Sequence, residues 1–197
     1  MPPKRRTFGR PQGKRLYHKL FVLAVEGEKT EPEYFALFKN VGVKCLPGTK
    51  KTSCTQVLKR LKHFLEKENV REPYEAWLVI DKDDNSEEKL QEVYKWSQLK
   101  EQYGFALSNP NFEYWLLLHF EDGSNIHSVR DCSDRLKRYL PDYNKGIDER
   151  KITVDAINKA ILHAKQRDNL SCLDWPKDIY GTTVYKLIEK LLSSECF

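Results

Sequence analysis

The stretch that decides the fold is residues 20–35, which read LFVLAVEGEKTEPEYF. Its first six residues form a continuous apolar run, which is typical of a strand buried on both faces of a parallel sheet. After a polar turn, residues 30–33 (TEPE) have the pattern of a capping box with proline in the first helical turn. The stretch therefore predicts a buried strand, a tight turn and a helix that carries Phe35 and Phe38.

The same alternation of strand and helix continues along the chain. Further strands are predicted at 41–46, 76–80 and 103–107. Capping patterns begin two more helices at 53–56 (SCTQ) and 85–88 (NSEE), and 109–110 (NP) begins an aromatic one that runs to 119. This order predicts an α/β fold with a mainly parallel, Rossmann-like sheet flanked by helices on both faces.

The last third of the chain has the pattern of helices. Apolar faces recur at helical spacing over 157–164 and 184–192, and a loop-like stretch at 170–181 separates them. The pattern alone leaves open whether these helices pack on the sheet or form a small lobe. We divide the chain into a disordered basic arm at 1–15, an α/β core at 16–125 and a helical extension, taken to pack on the core, at 126–197.

Composition limits the classes of protein to which the chain can belong. A chain of 197 residues, 40% of them hydrophobic, fits one domain, or one domain with a small appendage. No apolar run approaches the roughly 20 residues needed to cross a membrane, and no signal-peptide core follows the basic N-terminus. The five cysteines include no Cys-x-x-Cys pair, which argues against a disulfide framework and a zinc ribbon. We therefore expect a cytoplasmic protein with no membrane contact.

Positive charge is concentrated near the N-terminus. The net charge is +5, and residues 1–19 hold seven lysines or arginines and no acid. A second acid-free stretch, at 44–62, is also basic. Such blocks suit a polyanion, because neutralising phosphates releases counterions, and Arg5 and Arg6 become candidate substrate contacts. A solvated tail that only aids solubility explains the first block equally well.

Acidic side chains follow the predicted strands. Glu26 follows the first strand, Asp81 and Asp83 follow the strand at 76–80, and Glu113 follows the strand at 103–107. The carboxyl ends of parallel strands meet at one edge of a sheet, where ligands bind. Carboxylate oxygens suit Mg²⁺, which can polarise a phosphoryl oxygen and generate a nucleophile from water. Each acid alone also fits a solvated loop, a cap or an ion pair.

Several motifs resemble known families. Residues 25–28 (VEGE) followed by 79–83 (VIDKD) resemble the signature of Toprim domains, which place a glutamate after one strand and Asp-x-Asp after another. The chain is more closely similar to the RloB-like family. The stretches that carry this resemblance are EGEKTEPEYF at 26–35, DKDD at 81–84, SNPNFEYWLLLHF at 108–120 and TTVY at 182–185.

The resemblance implies a Toprim-like fold and roles for particular residues. Glu26 would act as general acid and base and contact the ion, and Asp81 and Asp83 would hold Mg²⁺ or Mn²⁺. The family motif places Asn109 and Glu113 nearby, on one helix at i, i+4 spacing. Glu113 then joins the catalytic set and Asn109 becomes a candidate substrate contact, although Asn109 could equally cap the helix before Pro110.

Two further side chains, Lys29 and His119, are interpreted from their positions in the sequence. Lys29 is a candidate contact to substrate phosphates, because it precedes a predicted helix N-terminus that favours anions. His119 is interpreted as a satisfied histidine at the edge of the core rather than a catalytic one.

The expected function is a Mg²⁺-dependent nuclease acting on DNA or RNA in prokaryotic anti-phage defence. Hydrolysis is favoured over strand passage, because none of the ten tyrosines is marked as a nucleophile. Family members lie beside ATPases in defence loci, and this chain has no Walker motif, so a partner ATPase is expected. The alternatives are a non-catalytic subunit that binds nucleic acid or docks on that ATPase, and hydrolysis of a mononucleotide. The number of metal ions and the presence of a homo-oligomer are left open.

Overall fold

A five-stranded sheet forms the centre of the protein. The computed structural model describes residues 19–49, 52–82, 85–143, 146–168, 175–177 and 180–194. The strands are β1 (Leu20–Val25), β2 (Gly42–Leu46), β3 (Tyr74–Asp81), β4 (Tyr103–Asn109) and β5 (Gly181–Thr182). Their order is β2-β1-β3-β4-β5, and only β5 runs antiparallel to its neighbour. The prediction of an α/β fold with a mainly parallel sheet is therefore confirmed.

Helices cover both faces of this sheet. They are α1 (Thr30–Phe35), α2 (Cys54–Lys67), α3 (Glu87–Ser97), α4 (Phe112–Leu117), α5 (Val129–Tyr139), α6 (Val154–Arg167) and α7 (Val184–Ser194), with a short 3-10 helix at Glu149–Lys151. Side chains of a strand alternate between its faces. Accordingly, Val22 and Ala24 pack with α2 and α3, whereas Phe21 and Leu23 pack with the other helices. Both sets are fully buried, which explains the continuous apolar run of β1.

The C-terminal helices pack on the sheet. α7 lies against β4, and α6 contacts both α7 and α4. Leu187 and Ile188 of α7 share one buried cluster with Phe21 and Leu23 of β1. The sequence pattern alone does not decide between this packing and a separate small lobe.

The strand β5 was not predicted, because residue 181 ends the predicted loop-like stretch and residue 182 lies just before the helical pattern at 184–192. Gly181 pairs with Asn109, and Thr182 pairs with Ser108. The pairing is extended by Thr183, whose backbone N–H donates to the Leu107 carbonyl at 2.8 Å. Two residues carry no strand pattern of their own, so only the long-range pairing reveals this element.

One predicted helix start was wrong. The aromatic helix does not begin at Asn109-Pro110: Asn109 is the last residue of β4, and α4 begins at Phe112 with Asn111 as its N-cap. Asn109 and Glu113 consequently do not share a helix. Pairing with β5 explains the difference, because it extends β4 through Asn109.

The predicted capping box at Thr30 is also absent. α1 begins at Thr30 with Lys29 as its N-cap, and no side chain caps it. Glu33 instead accepts a hydrogen bond from the backbone N–H of Ile147 at 2.9 Å. The second capping box is confirmed, since the Gln56 side chain accepts from the backbone N–H of Ser53 at 2.9 Å.

The described part of the chain contains no helix long and apolar enough to span a membrane. Cys45, Cys54 and Cys132 are free thiols. Cys172, Cys196, the predicted arm at 1–15 and most of the loop-like stretch at 170–181 lie outside the described residues.

Candidate active site at the carboxyl edge of the sheet

An acidic cleft of about 360 Å³ lies beyond the carboxyl ends of β1 and β3. Its described lining consists of Glu26, Gly27, Glu28, Lys29, Thr30, Glu31, Thr49, Thr52, Asp81, Phe112 and Glu113. The structure therefore brings together three acids predicted for the site, namely Glu26, Asp81 and Glu113. Two further predicted groups, Asp83 and the pair Arg5 and Arg6, lie outside the described residues.

The register of the parallel strands places the acids at this edge. Val25 of β1 is opposite Val79 of β3, and Asp81 is opposite Ser108 of β4. Glu26 directly follows Val25, and Asp81 comes two residues after Val79. The two acids therefore lie at the ends of adjacent strands, within two register positions of each other. The backbone N–H of Lys82 then donates to the carbonyls of Ser108 and Pro110 at 2.9 and 3.0 Å, which fixes the end of β3 beside α4.

Glu31 is a buried acid of the cleft that sequence reasoning interpreted only as part of a cap. It is 5% exposed, and its Oε1 accepts a hydrogen bond from the backbone N–H of Gly27 at 2.8 Å. Burial raises the pKa of Glu31, and Glu113 raises it further, although backbone hydrogen bonds from Glu31 and Gly27 oppose the shift. A Cβ at Gly27 would lie 1.9 Å from Glu31 Oε2, so any larger residue at this position would force the Glu31 carboxylate to shift.

The backbone of the turn that carries Glu26 is held from two other sides. Gly48 donates its backbone N–H to the Gly27 carbonyl at 2.9 Å, and a Cβ at Gly48 would lie 1.7 Å from the Glu26 carbonyl oxygen. Arg60 of α2 donates from Nη2 to the Val25 carbonyl at 2.6 Å. Burial lowers the pKa of Arg60, while the nearby Glu26 acts in the opposite direction.

Asn85 is the second residue that sequence reasoning missed at this site. Its Nδ2 lies 2.8 Å from Glu26 Oε1 and 2.8 Å from the Asp81 carbonyl oxygen. The pattern of the sequence had assigned Asn85 to a helix cap, but Ser86 is the N-cap of α3. No local signal marks the contact with Glu26, because it joins segments 59 residues apart.

Lys29 and Asn109 have different surroundings. Lys29 lines the cleft, and its Nζ lies 3.7 Å from Glu33 Oε1. Asn109 is buried, and its Nδ2 donates to the carbonyls of Pro176 and Lys177 at 3.2 Å each. Asn109 thus secures the described segment at 175–177, and its role in substrate binding stays a prediction.

His119 is confirmed as a histidine of the core. It is 3% exposed, its Nδ1 lies 3.1 Å from the Trp115 carbonyl oxygen, and its Nε2 lies 3.2 Å from the Tyr34 hydroxyl. Because a carbonyl oxygen only accepts, the proton is on Nδ1 and Tyr34 donates to Nε2. Burial lowers the pKa of His119 to about 4.

The donors of the cleft fit a hard divalent cation. Glu26, Asp81 and Glu113 offer carboxylate oxygens in one cavity, and Mg²⁺ needs only one or two carboxylates because it keeps several waters. Within the described ranges, no three His, Cys, Asp or Glu side chains converge closely enough to form a ready ligand set. These described residues therefore do not form a closed metal site in which protein side chains replace all the water ligands of the ion.

The fold and the cleft define an α/β protein with an acidic site at the carboxyl edge of a parallel sheet. A family model described as RloB-like protein matches residues 21–191, so the chain belongs to the RloB-like family. The matched range contains every described residue of the cleft. No curated protein and no solved structure matches the chain.

Proposed function

We propose that this protein is a Mg²⁺-dependent nuclease that hydrolyses phosphodiester bonds in DNA or RNA. The observation that carries the proposal is that Glu26, Asp81 and Glu113 line one cleft where adjacent parallel strands end. Ligands of open parallel sheets bind at this position. The resemblance of 25–28 and 79–83 to Toprim motifs supports the same chemistry.

The residues of the cleft have distinct proposed roles. Mg²⁺ or Mn²⁺ bound by Asp81, with Glu26 and Asp83, would supply a Lewis acid for the phosphoryl group and lower the pKa of water. Glu26 transfers the proton of the attacking water. Glu113 lines the cleft with Glu31 and belongs to the proposed catalytic set, and Lys29 contacts a phosphate of the substrate.

The charge of the cleft makes nucleic-acid binding dependent on cations. The described lining contains five acids and one lysine, so its field repels a polyanion. A phosphodiester therefore enters only when divalent cations neutralise this charge. The basic segment at 1–19 offers the complementary attraction for the remainder of the strand.

The biological setting follows from the family resemblance alone. We place the protein in the prokaryotic cytoplasm, in anti-phage defence, with a partner ATPase encoded nearby. One observation favours an alternative function. Glu26 accepts a hydrogen bond from Asn85, and Glu31 accepts one from Gly27, so these acids also stabilise turns. In that alternative, the chain is a non-catalytic subunit that binds nucleic acid or docks on the ATPase.

A cleavage panel separates these functions. Plasmid, single-stranded DNA, total RNA with tRNA, and mononucleotides are incubated with Mg²⁺ or Mn²⁺ and either wild type, Glu26→Gln or Glu101→Gln. Glu101 is the matched control, since it is exposed and borders a cavity around Lys19 and Glu75, at the amino edge of the sheet. We expect metal-dependent cutting of a polymer that Glu26→Gln abolishes and Glu101→Gln retains. Binding of nucleic acid or co-purification with an ATPase, without cutting in any condition, would instead identify the binding subunit.

A further inference from the structure

Asn85 lies where three segments of the cleft meet. Its side chain joins the end of β1, through the Glu26 carboxylate, to the end of β3, through the Asp81 carbonyl. It also reaches the start of α2, because its Oδ1 accepts a hydrogen bond from the backbone N–H of Cys54 at 3.0 Å. One amide thus contacts three elements that are distant in sequence.

The contact with Cys54 fixes which way the amide points. A backbone N–H can only donate, so the atom that faces Cys54 must be the oxygen of Asn85. The two N–H bonds of the amide then face Glu26 and Asp81, both of which offer oxygen acceptors at 2.8 Å. A flipped amide would lose all three hydrogen bonds at once.

The backbone of Asn85 adds a further restraint. Its N–H donates to the Lys82 carbonyl at 3.0 Å, so Asn85 is tied to both Asp81 and Lys82. The amide is therefore held firmly enough to restrain a partner. Its hydrogen bond to a carboxylate is charge-assisted and favours one orientation of Glu26.

We propose that Asn85 is the positioning residue that orients the Glu26 carboxylate for cation binding in the cleft. This inference rests on the proposed function, because it assigns to Asn85 the support of a proposed metal-binding and proton-transferring residue. Residues that orient metal ligands through hydrogen bonds typically change metal affinity by about 10- to 100-fold when they are removed.

The affinity for Mn²⁺ tests the proposal without requiring cleavage. Free Mn²⁺ is measured by electron paramagnetic resonance during titration of wild type, Asn85→Ala and Asn158→Ala. Asn158 is the matched control, because it is exposed on α6, away from the cleft lining. We expect Asn85→Ala to weaken Mn²⁺ binding by about 10- to 100-fold and Asn158→Ala to bind like wild type. If Asn85→Ala does not fold, Asn85→Ser takes its place.

A second measurement tests the contact itself. In the absence of metal, Asn85→Asp sets a carboxylate against Glu26 and should lower the midpoint of thermal unfolding. Adding Glu26→Gln restores a donor opposite an acceptor at this contact, so the double variant should recover part of the loss, while the hydrogen bond to the Asp81 carbonyl stays lost. An unchanged midpoint in Asn85→Asp, or no recovery in the double variant, would overturn the proposed contact.

The outcomes separate this inference from the nuclease proposal. Wild-type Mn²⁺ binding that Asn85→Ala weakens, without cleavage of any nucleic acid, supports the positioning role and rejects the nuclease. Wild-type affinity in Asn85→Ala, or no Mn²⁺ binding by wild type, rejects the positioning role.

Discussion

At the scale of single residues, burial shifts the pKa values of two titratable groups in opposite directions, one in the cleft and one in the core. It raises the pKa of Glu31 and lowers that of His119 to about 4. In each case the neutral form is favoured, because burial disfavours charge. Both groups therefore connect the stability of the fold to pH, over different ranges.

His119 should make the protein sensitive to mild acid. The pKa of His119 is about 4 in the folded protein and about 6.5 in the unfolded chain, so the unfolded chain binds the proton first as the pH falls. Stability is complete above pH 6.5 and declines towards pH 4, with a loss of about 2 kcal/mol by pH 5. Urea unfolding at pH 7 and pH 5 measures this loss. His119→Phe should reduce the difference, and His63→Gln, an exposed control, should keep it.

Glu31 should have the opposite effect at higher pH. Because its folded pKa is raised, the folded protein retains a proton that the unfolded chain has already lost, and stability falls as the pH rises through this range. Glu31→Gln keeps an oxygen acceptor for Gly27 and removes the buried charge. We expect the free energy of unfolding of Glu31→Gln, relative to that of wild type, to increase from pH 4.5 upwards and then level off. Urea unfolding in EDTA measures this difference. A constant difference at every pH would contradict the raised pKa.

At the scale of the elements, the loop between β2 and α2 packs against the turn that carries Glu26. Gly48 makes the closest approach, so Gly48→Ala should force the backbone of Glu26 to shift. We expect a loss of about 1–3 kcal/mol in the free energy of unfolding, as for other overpacked sites. Gly42→Ala is the control in β2, since its Cβ would meet no atom closer than 3.3 Å. If the two variants have equal free energies of unfolding in chemical denaturation, the loop moves aside at little cost and the prediction is contradicted.

The strands that could be predicted from sequence are those that carry their own pattern. β1, β3 and β4 are apolar over nearly their whole length because both faces are covered. β5 has two residues and exists only through its pairing with β4. The start of α4 was misplaced for the same reason, because pairing with β5 extends β4 through Asn109.

The candidate site was predictable only in part. Glu26 and Asp81 could be placed because each directly follows a predicted strand, and Glu113 because it belongs to the segment after the strand at 103–107; a parallel sheet gathers such positions. Asn85 and Glu31 could not, because the hydrogen bond of Asn85 with Glu26 and the charge interaction of Glu31 with Glu113 join segments distant in sequence, which no local spacing encodes. Asp83 remains a prediction from its motif.

At the scale of the whole molecule, charge is divided between the cleft and the N-terminal segment. Lys19 starts the described chain at the amino end of β1, whereas the acidic cleft lies at the carboxyl end of the sheet. We therefore assign binding of the nucleic-acid backbone chiefly to the basic segment and chemistry to the cleft.

Removal of residues 1–15, which contain six lysines or arginines, should weaken nucleic-acid binding. The slope of log K against log salt is negative, and each lost phosphate contact reduces its magnitude by about 0.9 for duplex DNA. We therefore expect the magnitude of the slope to decrease by up to about 5. Fluorescence anisotropy at several KCl concentrations measures it. A variant with the six basic residues changed to glutamine controls for chain length and should behave like the deletion. An unchanged slope in both would leave the segment as a solubilising tail.

The central claim is that Glu26 and Asp81 act as one unit in phosphodiester hydrolysis. Initial cleavage rates at saturating Mg²⁺ test it most directly, in wild type, Glu26→Gln, Asp81→Asn and the double variant. We predict that each single change lowers the rate by about 100-fold or more and that the double change costs no more than the worse single one, because residues that act together are not additive. Wild-type cleavage by either single variant, or losses that multiply in the double variant, would contradict the account.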